Sequence, residues 1–292
     1  MATAAHGLAL MTAVATLVLI LFGGLVTNTG SALAVPDWPT TFGHNLFLYP
    51  WSQMVGGIFY EHSHRLLGVL VGLLTLALAA ALWRAGGRLR ALGLVAATTV
   101  VAQGVLGGLR VVLLEPTLAI LHGCLAPAFF ALVAVAALVT SPRWQEPATA
   151  EALAPSTRSV TLAVAALVYV QIVFGALLTH AGFLQPHLIG ALAVFALAPI
   201  ATARLRGSGD AVAAPVARAL LALLGAQLLL GVGSLLVRVL PGALPDGLGL
   251  ILTVAHRLAG ALTLGAAVVL AARAWAPRAR GGALVAVVEL TA

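Results

Sequence analysis

Apolar residues in this chain form long runs that are separated by short polar turns. The hydrocarbon core of a bilayer, about 30 Å thick, needs roughly 20 apolar residues in a helix. Eight runs of that kind occur, at 8–27, 61–83, 91–110, 117–140, 158–178, 186–204, 213–238 and 250–273. The pattern therefore predicts an all-α integral membrane protein with eight transmembrane helices. The first run lacks a basic start and an obvious cleavage site, so we interpret it as a helix and not as a signal peptide.

Composition and charge narrow the class further. The chain is 62% hydrophobic and 8% charged, and its net charge is +7. All fifteen of its basic residues are arginines, and the chain has no lysine. Eleven of these arginines fall in alternate loops or after the last run, at Arg84, Arg88, Arg90, Arg143, Arg158, Arg204, Arg206, Arg218, Arg273, Arg278 and Arg280. This positive-inside pattern predicts a bacterial plasma-membrane protein with both termini in the cytoplasm. Nucleic-acid binding is not expected.

The chain also contains an internal repeat. Its unit is a helix with glycines, an outer loop and a helix with a histidine, and it occurs four times. We predict two pseudo-symmetric four-helix bundles, an N-terminal half 1–142 and a C-terminal half 156–280, with a linker 143–155 and a cytoplasmic tail 281–292. Two halves of four helices share one orientation, unlike the inverted repeats of many transporters. The glycines fit plain helix packing as well as a ligand site.

Four histidines occupy the matching place of the repeat, at the outer starts of the even-numbered runs: His64, His122, His187 and His256. An ionisable side chain in a membrane helix is costly and needs a partner or a function. The recurrence predicts two bis-histidine haem sites, one from His64 and His122 and one from His187 and His256. Zinc is the competing metal, but it favours carboxylate or cysteine companions, and the fourth, sixth and eighth runs contain no carboxylate. A packing or hydrogen-bonding role is the alternative for any one of them.

Three charged residues stand beside these histidines. Arg65 and Arg257 directly follow His64 and His256, so they suit haem propionates, or they reach outward to lipid headgroups. Glu61 precedes His64 by three positions and shares its helix face. It is a candidate proton acceptor, or a helix-start acid. Because the other three histidines lack such an acid, we expect one half to carry a reaction and the other to carry electrons.

The first outer loop, 28–60, is long and rich in proline and aromatic residues. This composition predicts an ordered lid, or an aromatic belt at the membrane interface. The remaining histidines, His6, His44, His62 and His180, lie off the repeat, and His62 is an alternative to His64. Cys124, the one cysteine, excludes an intrachain disulfide and fits a small buried residue.

Together these features resemble the haem A synthase family. The motifs that carry the resemblance are Thr29-Gly30-Ser31 through Pro36-Asp37-Trp38-Pro39, Glu61-His62-Ser63-His64-Arg65, Leu121-His122-Gly123, Pro186-His187-Leu188-Ile189-Gly190 and Ala255-His256-Arg257-Leu258-Ala259-Gly260. The resemblance implies an oxidoreductase that converts a methyl group of haem O to a formyl group, which gives haem A for terminal oxidases.

The resemblance also implies a division of roles. His64 and His122 would flank the substrate haem O, Glu61 would assist proton removal, and His187 with His256 would hold a haem b that relays electrons. Expected partners are the bilayer, a haem O synthase, terminal-oxidase assembly and a quinone or other electron acceptor. One departure stands out. Many bacterial relatives carry a cysteine pair in the first loop, where this chain has Val35 and Thr41.

Other functions use the same residues. A dihaem b-type cytochrome that only passes electrons would need the four histidines but not Glu61. A membrane carrier or a haem-binding assembly factor is a third reading. A haem O synthase is rejected because prenyl transfer needs aspartate clusters, while the aspartates here stand singly at Asp37, Asp210 and Asp246.

The predicted orientation can be tested with truncated fusions to alkaline phosphatase, which is active only outside the cytoplasm. We expect high phosphatase activity for a fusion after Pro50 and low activity for one after Pro142, because the arginine-rich loops stay inside. The opposite activities would contradict the orientation.

Overall fold

The eight predicted membrane helices are all present in the computed structural model, which describes residues 2–242 and 244–276. In chain order the helices are α1 (Ala2–Asn28), α2 (Gly56–Ala85), α3 (Gly87–Leu113), α4 (Pro116–Thr140), α5 (Pro142–Gln145), α6 (Ala150–Leu153), α7 (Pro155–Ala181), α8 (Leu184–Leu205), α9 (Ala213–Val239) and α10 (Asp246–Ala274). Two of them, α5 and α6, are single turns. A 3-10 turn, Trp51–Gln53, lies in the first loop.

The eight long helices are long and apolar enough to cross a membrane. They contain 22 to 30 residues each, which corresponds to roughly 33–45 Å at the usual rise of a helix. Many large apolar side chains point outward, among them Leu229, Leu192 and Ile189, which are 75%, 72% and 67% exposed. Such a surface is stable against lipid and not against water, so the chain is a multi-pass membrane protein.

The helices start earlier than the apolar runs predict. Helix α2 begins at Gly56 and α10 at Asp246, so His64 and His256 lie about two to three turns inside their helices and not at the starts. The prediction of terminal histidines was therefore wrong for these two. The reason is that the first turns contain glycine or polar residues, Gly56-Gly57 in α2 and Asp246-Gly247 in α10, which the hydrophobic pattern assigns to the preceding loops although they are helical.

Neighbouring helices form two rings. In the first ring α1, α2, α3 and α4 each contact the next, and α4 closes on α1; in the second, α7, α8, α9 and α10 do the same. The rings meet where α10 packs on α1 and α4, for example where Val254 faces Gly24 and Phe130 faces Gly265. This arrangement is consistent with two four-helix halves. The predicted tail, 281–292, and the end of the predicted second half lie outside the described residues.

One end of the bundle carries residues 29–55, 114–115, 182–183, 240–242 and 244–245, and we call it the loop end. The other end, the linker end, carries the connection 141–154 and the turn 206–212. A buried ion pair holds the linker end together: Arg273 Nε lies 3.0 Å from Asp210 Oδ1, and the two residues are 1% and 2% exposed. Arg273 also donates to the carbonyls of Trp144 and Glu146. The sequence pattern identifies Arg273 only as a positive charge at the end of the last apolar run.

Asp210 has further donors besides Arg273. The backbone N–H groups of Thr149, Val212 and Ala213 donate to its carboxylate at 3.1, 2.9 and 2.8 Å. Burial alone would raise the pKa of this carboxyl, but the Arg273 guanidinium and the backbone donors outweigh it and lower the pKa. The ion pair therefore joins the linker, the α8–α9 turn and α10 in one charged network.

Arg273→Ala should destabilise the protein, because it leaves the Asp210 charge buried without its partner. We expect the free energy of unfolding to fall by about 3–5 kcal/mol. Thermal unfolding in detergent measures the change, with the exposed Arg88→Ala as the matched control. Equal melting temperatures for both variants would contradict the role of this pair.

Candidate functional site

The structure brings the four repeat histidines together as two pairs. The ring centroids of His64 and His122 are 6.4 Å apart with planes at 75°, and those of His187 and His256 are 6.2 Å apart with planes at 81°. Two imidazoles on opposite sides of one metal ion would have centroids about 6.3 Å apart, whereas tetrahedral ligation would place them about 5.1 Å apart, for metal–nitrogen bonds of about 2.0 Å. Both pairs fit a linear arrangement around a haem iron.

A structural zinc site fits less well. In the described part of the chain, no three His, Cys, Asp or Glu side chains cluster as ligands of one metal ion. A linear pair of imidazoles instead leaves a plane between the rings, which is where a porphyrin supplies its four nitrogens. The donor set and the spacing therefore favour haem over zinc.

Each histidine ring lies against a glycine of the preceding helix. A Cβ atom at these glycines would meet the Cε1 atom of the ring, at 3.1 Å for Gly23 and His64, 2.9 Å for Gly107 and His122, 3.3 Å for Gly175 and His187, and 3.2 Å for Gly231 and His256. These distances are tighter than ordinary packing contacts. The glycines of the repeat therefore act as cradles for the rings.

Three of the four histidines are also held by a glutamine one turn before the glycine. The side-chain amide donates to the backbone carbonyl of the histidine, from Gln103 to His122 at 2.9 Å, from Gln171 to His187 at 2.8 Å and from Gln227 to His256 at 3.1 Å. Sequence reasoning did not assign these glutamines a role. The spacing Gln-x-x-x-Gly, which occurs in α3, α7 and α9, was the signal that could have found them.

The second ring nitrogen differs among the four histidines. His122 Nδ1 lies 3.1 Å from the carbonyl of Gln103, which suits an N–H donor and leaves Nε2 free for a metal. His187 Nδ1 lies 3.1 Å from the side-chain amide of Gln171. His64 Nδ1 and His256 Nδ1 are buried without a hydrogen-bond partner among the described residues. The Gln171 amide nitrogen is a donor, so His187 Nδ1 accepts in this contact, and among the described residues His122 is the repeat histidine whose Nδ1 has an acceptor partner.

Glu61 lies beside the first pair, but both of its oxygens have partners. Oε2 accepts from the backbone N–H of Val35 at 3.0 Å, and Oε1 accepts from Arg65 Nη2 at 2.9 Å. The residue is 4% exposed. Glu61 therefore fastens the first loop to α2 in this arrangement.

Arg65 is the centre of the same network. Its Nη1 donates to the carbonyls of Asp37 and Thr40 at 2.6 and 2.9 Å, and its Nη2 donates to the carbonyl of Val35 at 2.8 Å as well as to Glu61. These four bonds occupy all terminal N–H groups. Arg65 therefore holds the loop, which folds back over α2 in a way that sequence spacing does not show, and its contact with a haem propionate stays a prediction.

Val35 and Thr41, near which the resemblance predicts a cysteine pair, are fully buried. Val35 is tied to Glu61 and Arg65, and Thr41 Oγ1 lies 3.0 Å from His62 Nδ1. His62 packs against Tyr49 with ring centroids 5.1 Å apart, so it serves the loop, and His64 serves the pair with His122. Polar contacts with α2 thus fix this loop without a disulfide.

A second set of contacts shapes the loop itself. Asp37 accepts from the backbone N–H groups of Phe42 and Gly43 and from the hydroxyl of Thr40. Burial alone would raise the pKa of Asp37, but these donors lower it to about 2. The ring of Trp38 covers Gly108 of α3, close to the cradle glycine Gly107. The loop therefore covers the loop end of the first half.

Two arginines add positive charge near the pairs. Arg257 donates from Nη2 to Thr179 Oγ1 at 3.0 Å, which uses one of its terminal N–H groups. Arg110, in the last turn of α3, lies three residues beyond Gly107 and within electrostatic range of His64 and His122. Sequence reasoning treated Arg110 as a loop charge only; its distance of three residues from the glycine motif was the available signal.

Alanine substitutions on α3 test the cradle. Gly107→Ala places a Cβ 2.9 Å from the His122 ring and should displace it, so bound haem should fall from two per chain toward one. Gly104→Ala is the matched control, because its Cβ would meet nothing within 4 Å. The pyridine haemochrome assay on purified protein measures the ratio. Equal haem contents in both variants would contradict the cradle.

Comparisons with known proteins fit this geometry. The model of the COX15-CtaA family, described as cytochrome oxidase assembly protein, matches residues 6–185, which include Glu61, His64 and His122 and end just before His187. A protein named heme A synthase from Shouchella clausii (strain KSM-K16) is 30% identical over 179 residues, 59% of this chain and 58% of the relative. The chain thus spans somewhat over half the length of that relative. Since the family model covers more than half of the chain, the protein belongs to the COX15-CtaA family of cytochrome oxidase assembly proteins.

Proposed function

We propose that this protein is a haem A synthase, which oxidises a methyl group of haem O to a formyl group and so supplies haem A to terminal oxidases. The observation that carries the proposal is two histidine pairs whose ring centroids lie 6.4 and 6.2 Å apart, a spacing that suits two imidazoles on one haem iron. Only the first pair has an acid, Glu61, on the same helix face. The name of the similar protein from Shouchella clausii supports the same reaction.

The two halves take different haems in this proposal. In the first half, 1–142, His64 and His122 hold the substrate haem O from opposite sides. In the second half, 156–280, His187 and His256 hold a haem b, which supplies one-electron transfer when bound. The residues fit such groups because each ring pair has the spacing of axial ligands and each ring has a glycine cradle.

Positive charge near both sites suits the propionate groups at one edge of a haem. With Arg65 occupied by the loop, Arg110 becomes the propionate ligand proposed for the first half. Arg257 takes the same role in the second half, since Thr179 is the one hydrogen-bond partner of its guanidinium among the described residues. A guanidinium binds a carboxylate bidentately and stays charged, so these two residues orient the haems with their propionates toward the loop end.

Glu61 acts as the proton acceptor in this scheme. With water as the source of the formyl oxygen, conversion of a methyl group to a formyl group releases four protons and four electrons, the electrons going to the acceptor. A carboxylate on the face of His64 can take up one of these protons. Val35 N–H and Arg65 each occupy one lone pair, and each oxygen keeps a second lone pair that can take the proton. The proposed proton acceptor therefore lies at the contact between the first loop and α2.

The surroundings of the protein follow from the charge pattern. We place it in a bacterial plasma membrane with both termini in the cytoplasm, so that the loop end and both sites lie toward the outer side. A haem O synthase would supply the substrate, and terminal-oxidase assembly would take the product. Electrons would leave from the second half to a quinone or another acceptor.

A dihaem b-type cytochrome is the second candidate, and one observation favours it. Both oxygens of Glu61 accept hydrogen bonds that hold the loop on α2. An electron-transfer protein would keep these bonds for stability alone. Such a protein would keep both histidine pairs and leave haem O unmodified.

Haem extraction with mass spectrometry separates the two candidates. The protein is made in a bacterium that supplies haem O but lacks haem A, with an electron acceptor present. We expect haem A or hydroxylated haem O from the parent chain, and a conversion about 100-fold lower for Glu61→Gln, which cannot accept the proton. Two bound haems in both chains, seen in the low-spin spectrum, exclude a folding defect.

Glu115→Gln is the matched control, because it removes an acid at the same end of the bundle, on the start of α4 and away from the Arg65 network. Its conversion should equal that of the parent chain. Only unmodified haem O and haem b from a fully loaded parent chain would overturn the synthase and leave the cytochrome.

A further inference from the structure

The four histidines are not held equally, and His64 is the exception. Three of the helices that precede a histidine carry the Gln-x-x-x-Gly pair, whose glutamine donates to the histidine carbonyl. In α1 the glycine is Gly23, and the residue four positions earlier is Leu19, which has no donor. Within the described residues, no side-chain donor reaches the His64 carbonyl in the way that the other three are reached.

The ring of His64 is also untied. Its Nδ1 is buried and has no hydrogen-bond partner among the described residues. His256 shares the untied Nδ1 but keeps its glutamine, Gln227. Within the described residues, His64 is thus the one repeat histidine without a glutamine on its carbonyl and without a partner for its Nδ1.

These two bonds matter for a metal ligand. A hydrogen bond from Nδ1–H raises the basicity of the other ring nitrogen and fixes the ring orientation, and both strengthen the bond to the metal. A clamp on the backbone keeps the ring at its place when the metal bond breaks, so that it rebinds quickly. A histidine without either bond is the first of the four to leave an iron.

We propose that His64 is the releasable axial ligand of the first-half haem and that Leu19, at the place of the clamp glutamine, makes it so. The inference rests on the proposed function, in which the first site must exchange its haem after each conversion while the second site keeps its haem. His122, with Gln103 on its backbone and a tied Nδ1, is the ligand that stays bound. The haem of the first half is therefore exchanged on the His64 side of its site.

Carbon monoxide reports this property without any haem conversion. Carbon monoxide binds a reduced bis-histidine haem only after one histidine has left the iron. In the purified protein with two bound haems, we expect one haem to bind carbon monoxide readily and the other to bind it much more slowly. Flow spectroscopy after reduction gives both rates.

Leu19→Gln supplies the missing amide at the clamp position. It should slow carbon monoxide binding at the fast haem on the order of fivefold, the effect of one net hydrogen bond. Ile20→Gln is the matched control, since it adds the same amide about 100° around the helix, away from the His64 face. Its rates should equal those of the parent chain.

Gln227→Leu tests the same rule in the opposite direction and does not depend on whether Leu19→Gln folds. It leaves His256 without clamp and without ring partner, as His64 is, so the slow haem should become about fivefold faster. Equal carbon monoxide rates at the two haems of the parent chain, or unchanged rates in both variants with two haems bound, would overturn the inference. Because no haem O is needed, a failure of the synthase reaction is seen separately.

Discussion

The contact between an imidazole ring and a helix backbone without a side chain is the constraint on which the two sites depend. At each of the four places a Cβ on the preceding helix would lie within 3.3 Å of the ring. The glycine lets two helices approach closely. The ring centroids of the two pairs then lie 6.4 and 6.2 Å apart, which suits two imidazole ligands of one iron. In lipid, where apolar packing gives little preference between helix arrangements, such small-residue contacts decide how helices associate. The four glycines therefore set the geometry of both histidine pairs.

Two arginine networks complete the fold at opposite ends of the bundle. At the loop end, Arg65 donates hydrogen bonds to three loop carbonyls and to Glu61. At the linker end, Arg273 donates to Asp210 and to two linker carbonyls. Both satisfy backbone groups that would otherwise face an apolar surrounding without a partner, which costs several kcal/mol per group. The first loop needs no disulfide because Arg65, Glu61 and His62 hold it.

The sequence was sufficient for the parts of the structure that repeat. Helix number follows from run length, and the pairing of His64 with His122 and of His187 with His256 follows from the order of four equivalent units. The hydrogen-bond partners of Arg65 and Arg273 could not be predicted from the sequence, because they depend on how residues 29–55 and 141–154 fold back on the helices. The starts of α2 and α10 were missed because their glycine-containing first turns, from Gly56 and from Asp246, lie outside the apolar runs although they are helical. Gln103, Gln171 and Gln227 were visible in the repeat but had no assigned partner until the histidine carbonyls were located.

The central claim is that four histidines form two linear iron sites. Electron paramagnetic resonance of the oxidised, purified protein tests it most directly, with iron and zinc measured on the same sample. Because the ring planes cross at 75° and 81°, we predict two low-spin ferric haem signals per chain, both strongly anisotropic. High-spin signals from five-coordinate haem, or zinc in place of iron, would contradict the account.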